Sequence, residues 1–155
     1  MTVEEHLLFY ARLKGIKPKY ENKLVARAMR EVKLEKQKEV QSKNLSLGMK
    51  RRLSIAISLV AEPKIVFLDE PTTGLDPETR REVWNILTEC KKRHSIVLTT
   101  HSMEEADVLC QRIAIINLGI MRCIGPQTRL KNLYGIGYHL FINCQKLKFL
   151  QFMQR

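Results

Sequence analysis

The 155-residue sequence contains no apolar run long enough to cross a bilayer. Its longest apolar stretches, residues 55–61 (interrupted by Ser58) and 113–116, fall well short of the roughly 20 residues that a spanning helix needs. A cleavable leader is not expected either, because the first ten residues, MTVEEHLLFY, place two glutamates where a basic segment would stand. Cysteine is sparse: Cys90, Cys110, Cys123 and Cys144 lie 20, 13 and 21 positions apart. That spacing makes neither a C-x-x-C pair nor a disulfide framework, and the four histidines do not complete a ligand set with them. Reduced thiols in a cytosolic protein are expected. Aromatic residues make up only 6%. The net charge of +11 raises nucleic acid as a partner, but no stretch interleaves aromatic and basic side chains into a stacking platform. The basic residues are scattered, as at Lys50, Arg51, Arg52, Arg80 and Arg81, with Glu78 and Glu82 among them. Solvated helix faces account for that pattern, and no nucleic-acid partner is expected.

What is present is ordinary globular composition, 45% hydrophobic and 28% charged, in a chain sized for one domain. Thr2 and Glu5 form a capping box ahead of Val3, Leu7, Tyr10 and Leu13 at helical spacing. Gly15 and Pro18 end that helix, and Leu24, Val25, Ala28, Met29 and Val32 make a second stripe. Residues 33–43 read as a polar connection. A helix follows Ser46, burying Leu53, Ile57 and Val60, and stops at Pro63. Residues 65–68 (IVFL) and 95–100 (SIVLTT) read as buried strands, with a helix over 78–93 between them and another over 103–110. Strands at 112–117 and 120–123 follow around a turn at Gly119. Strands alternating with helices predict an α/β fold with a parallel sheet.

The strongest chemical signal is IVFLDE, residues 65–70. Four apolar residues followed by Asp69 and Glu70 put two carboxylates at the C-terminal edge of a strand, where open α/β sheets bind ligands. An aspartate there can hold Mg²⁺ in nucleoside-triphosphate hydrolysis, and a neighbouring glutamate can polarise water. A strand ending in a solvated turn explains the same six residues, since Pro71 and Gly74 follow.

Three segments together decide between these readings. Residues 68–77 read LDEPTTGLDP, residues 44–49 read NLSLGM, and residues 99–107 read TTHSMEEAD. In their chain order, 44–49 before 68–77 before 99–107, they resemble the ATP-binding cassette (ABC) ATPases. The resemblance implies a P-loop NTPase-type α/β fold with a helical signature subdomain. It makes Asp69 the Walker B aspartate and Mg²⁺ ligand, and Glu70 the catalytic glutamate. His101 becomes the switch histidine, Ser46 and Gly48 the signature contacts to ATP, and Asp76 the D-loop residue. Met49 and the segment 124–140, IGPQTRLKNLYGIGYHL, are similar to the A subfamily of transporters. The resemblance covers residues 1–143, with 1–62 as the helical and signature part and 63–143 as the sheet core; the tail 144–155 is unassigned. The implied partners are a second nucleotide-binding domain and the transmembrane domains of a transporter, which puts the chain at the cytoplasmic face of a membrane. The implied cargo is a lipid or another amphipathic substrate.

Two departures qualify this. No G-x-x-x-x-G-K-[ST] occurs, so the chain lacks the amide cradle and lysine that hold the nucleotide phosphates. No glutamine stands at the Q-loop position either, and Met1 is therefore expected to lie inside a larger cassette. Leu47 occupies the signature position where the family usually has glycine. Two other expectations stay open: a soluble ABC ATPase, and a non-catalytic interaction module built from a degenerate cassette.

Overall fold

Thr2 starts the first helix by the box its sequence encodes: its hydroxyl accepts from the Glu5 amide, and the Glu5 carboxylate accepts from the Thr2 amide. The computed structural model describes residues 1–135. The end of the A-subfamily-like segment, the tail 144–155 and Cys144 lie outside the described residues. Among the described residues Cys90, Cys110 and Cys123 form no disulfide.

The chain divides into two compact units, Met1–Cys110 and Gln111 onward. In the first, helices α1 (Val3–Leu13), α2 (Pro18–Glu31) and α3 (Leu47–Leu59) pack against one another. The connection between α2 and α3 contains two short 3₁₀ turns, Glu35–Gln37 and Ser42–Asn44. Strand β1 (Ile65–Asp69), helix α4 (Pro77–Cys90), strand β2 (Ser95–Thr99) and helix α5 (Met103–Leu109) follow. Strands β1 and β2 pair in parallel, Val66 opposite Ile96 and Asp69 opposite Thr99, so α4 is the crossover of a β-α-β unit. Leu7, Val25, Leu34, Leu53, Ile55, Val60, Val66, Val83 and Leu87 belong to one continuous core.

Two expectations need correction. Ile57 is only partly buried; α3 turns Leu53, Ile55, Ala56 and Leu59 inward instead. The strands are also not buried on both faces. Val66 is buried and Leu68, Ile96 and Leu98 pack against the core, but Phe67 is 75% exposed and Ile65 and Val97 are each more than half exposed. The helices of this unit cover one face of a sheet that has two strands among the described residues, so side-chain alternation leaves the other face open.

The second unit is a hairpin of β3 (Arg112–Asn117) and β4 (Ile120–Pro126), followed by α6 (Gln127–Tyr134). Asn117 faces Ile120 across a two-residue turn in which Leu118 and Gly119 both have positive φ, 51° and 72°. That is the backbone that matches strand twist in tight hairpins. Strand β4 runs three residues beyond its expected end, and the run of residues 127–134 into a helix was not legible as a pattern.

Candidate active site

The site grows from the ends of the two parallel strands. Asp69 ends β1 and Thr99, its partner in register, ends β2. The Thr99 hydroxyl donates to Asp69 Oδ1 in a short hydrogen bond. The amide of Glu70 then donates back to Thr99, 3.2 Å to its carbonyl and 3.1 Å to its hydroxyl. Glu70 itself has φ of 42°. A non-glycine residue in the left-handed region is uncommon and persists where its surroundings over-determine it. Here those surroundings are the two bonds to Thr99.

Both carboxylate oxygens of Glu70 are engaged. Thr73 donates its hydroxyl to Oε2 at 2.7 Å, and His101 Nδ1 donates to Oε1 at 2.9 Å. These bonds, Thr73 first and His101 second, hold the carboxyl below the usual glutamate range. The imidazole is 72% exposed and the Glu70 side chain 39%, so the pair is open to a ligand. With Nδ1 turned to Glu70, Nε2 is the nitrogen presented to anything that binds.

Ser46, Gly48 and Asp76 form a second corner. Ser46 caps α3 by accepting from the Met49 amide at 3.2 Å. Asp76 caps α4 by accepting from the Thr79 amide at 3.0 Å, and that bond holds its carboxyl below the usual range. Gly48 is buried, and a β-carbon built on it would lie 2.3 Å from Thr79 Cγ2. The glycine is therefore needed for α3 to approach α4, whatever else it contacts. Arg51 of α3 also reaches the Thr73 carbonyl, at 3.5 Å. The structure thus brings Asp69, Glu70 and His101 together directly, and sets Gly48 and Asp76 around Thr79, with Ser46 capping the helix that carries Gly48. Sequence reasoning named none of Thr73, Thr79 and Thr99, although all three stand inside or beside the quoted motifs.

Among the described residues no group of three or more His, Cys, Asp and Glu side chains is arranged to hold a metal ion. Mg²⁺ is usually bound through one or two carboxylates, waters and substrate phosphates. Asp69, an exposed hard oxygen donor steadied by Thr99, suits it.

A family model described as "AAA domain, putative AbiEii toxin, Type IV TA system" matches residues 4–107. ABC transporter A family member 2 of Arabidopsis thaliana is 53% identical over 138 residues, covering 89% of this chain and 14% of that protein. ABC transporter A family member 7 of Dictyostelium discoideum is 50% identical over 146 residues, covering 94% and 17%. The chain belongs to the AAA-domain family and is part of an ABC cassette of the A-subfamily type. A solved structure of cbiO1 from Clostridium perfringens, described as part of the ABC transporter complex cbiONQ, superposes with a TM-score of 0.77 at 28% identity. The match covers 87% of this chain and 55% of that one. A structure described as an ATP-binding subunit of an ABC transporter gives 0.72, also at 28% identity. This confirms the P-loop NTPase-type α/β fold. The chain spans 14–17% of the length of the two curated relatives named above. Among the described residues of this cassette segment, no helix is long and apolar enough to cross a membrane.

Proposed function

We propose that this chain supplies the signature, Walker B, D-loop and switch-histidine portion of an ATP-hydrolysing ABC transporter cassette. The observation that carries the reading is Glu70: a strained, exposed carboxylate at the end of a parallel strand, oriented on both oxygens by Thr73 and His101. A carboxylate fixed in this way can accept a hydrogen bond from the attacking water and polarise it. Its lowered proton affinity makes it an orienting group that stays ionised. His101 holds Glu70 in place and offers Nε2 toward the terminal phosphate. Asp69 would hold Mg²⁺, which when bound neutralises charge on the phosphates.

In this reading Ser46 and the amides at the start of α3, including that of Gly48, meet the phosphate of ATP bound to a second nucleotide-binding domain. A helix N-terminus favours such an anion. Asp76 stands at the same corner. In this reading residues 1–62 supply the helical and signature part and the sheet core begins at residue 63; the cassette works with transmembrane domains at the cytoplasmic face of a membrane and drives export of a lipid or other amphipathic substrate. Similarity to A-subfamily transporters supports this assignment.

The test is turnover of a complete cassette carrying this segment. Glu70→Gln should keep ATP binding and lose most hydrolysis, because an amide polarises water poorly. His101→Ala should lose less, since only positioning is affected. Turnover near wild type in Glu70→Gln would place the catalytic role elsewhere.

A further inference from the structure

Glu105 has no part in the chemistry above, yet it is an acid held inside the protein. It lies on α5 and is 1% exposed. Its Oε1 accepts from the Thr72 hydroxyl at 2.8 Å and from the Trp84 indole Nε1 at 3.2 Å. Its amide donates to the Ser102 hydroxyl at 3.3 Å. Thr72 and Trp84 are buried as well, 4% and 6% exposed. A carboxyl in such a place costs stability unless its partners are supplied, and removal of any one strands the others.

The partners are telling by position. Thr72 comes two residues after Glu70, Ser102 comes directly after His101, and Trp84 lies on α4, the helix that Asp76 caps. Glu70 and His101 meet through side chains that are partly and largely exposed, respectively, and neither is enclosed by the core. Packing therefore does not set their separation; the two backbone segments that carry them do. The Thr72–Glu105 bond ties those same two segments together from the buried side. Two hydrogen bonds, Glu70 to His101 at the surface and Thr72 to Glu105 beneath, close one ring of chain. A left-handed residue such as Glu70 keeps its conformation only while the turn after it is held.

We infer that Glu105 is a positioning residue: through Thr72 and Trp84 it sets the geometry of the Glu70–His101 pair. The inference rests on the reading of that pair as the hydrolytic one. It predicts a specific kinetic pattern in a complete cassette carrying this segment. Glu105→Ala and Thr72→Val should each lower kcat about tenfold while KM for ATP moves by no more than about twofold, since a misplaced catalytic group affects the chemical step more than binding. The double variant should be no slower than the slower single, because both remove the same bond. Glu105→Gln should recover most of the rate, as its amide oxygen still accepts from both donors.

A second measurement needs no turnover. Trp84 is the one tryptophan of the chain, so its indole N–H gives a single nitrogen–proton resonance. In the 155-residue protein, Thr72→Val should shift both that resonance and those of the His101 ring. If Glu105→Ala does not fold, Thr72→Val decides alone, because it removes a hydroxyl at nearly constant volume. Wild-type turnover in a Glu70→Gln control would remove the hydrolytic reading itself. With that control inactive, wild-type kcat and unmoved His101 resonances in Thr72→Val would overturn the positioning role. Additive rate losses in the double variant would do so too.

Discussion

Leu47 opens α3 and leaves 61% of its surface exposed. Its backbone is ordinary helix, so glycine is not required there for conformation. The isobutyl group stands beside Ser46, where a second nucleotide-binding domain has to come close in the proposed reaction. Leu47→Gly in a complete cassette should therefore raise ATP-driven dimerisation, against a loss of about 0.5–1 kcal/mol at most in helix stability. Sedimentation in a Glu70→Gln background, with and without the change, measures it; equal or weaker dimerisation would show that the leucine is accommodated. Thr73 belongs to the same scale. Its hydroxyl is the first cause of the lowered Glu70 pKa. A depressed carboxyl stabilises the fold above its unfolded value, and that contribution is lost as pH falls through the folded value. Thr73→Val should move the acid limb of the kcat–pH profile upward, toward the ordinary glutamate range. An unmoved limb would mean that the hydroxyl does not govern ionisation. The acids and the histidine were legible because motif spacing names them. The threonines were not, since a hydroxyl becomes a partner only when another chain segment arrives beside it.

Helix α3 meets α4 where a β-carbon on Gly48 would press into Thr79. Thr79 is β-branched and held in the first turn of α4 by the Asp76 cap, so it yields poorly. Gly48→Ala should cost about 1–3 kcal/mol by overpacking. Thr79→Ala, which removes the obstructing methyl, should return most of it when the two are combined. Urea denaturation of the four proteins gives the comparison, and a double variant no better than Gly48→Ala would place the strain elsewhere. Helix starts at Thr2, Ser46 and Ser102 were legible because each cap is a local bond to an amide three residues on; Asp76, which caps α4 in the same way, was read only as the D-loop residue, with the helix placed from 78. Strand burial was not. The run IVFL reads as apolar throughout, but whether Phe67 is covered depends on which layers pack on the sheet, and periodicity carries no such information.

At the scale of the whole chain, Ile65, Phe67 and Val97 share the open face with Asp69 and Thr99. An exposed apolar strip leading to the acidic end of the site suits a surface that the rest of a cassette covers, and the match to 55% of the cbiO1 chain supports that arrangement. The segment also has no phosphate-binding loop. By itself it should bind ATP weakly, because Asp69, Glu70 and His101 address the terminal phosphate and its metal while nothing cradles the others. Equilibrium titration with a fluorescent nucleotide tests this; micromolar affinity, about −8 kcal/mol, would show that the half-site account is wrong.

Sequence alone determined the family and the order of elements in the first unit, and it singled out Asp69, Glu70, His101, Ser46, Gly48 and Asp76 as the candidate site residues, because motif spacing and caps act over a few positions. Tertiary structure decided what holds them. Thr99 steadies Asp69 across the sheet, Thr79 explains why residue 48 is glycine, and Glu105 ties Thr72 to Trp84. Each of those contacts joins segments 21 to 33 positions apart along the chain. Only the packing of β1, β2 and α3–α5 into one core brings such segments within hydrogen-bond or van der Waals reach.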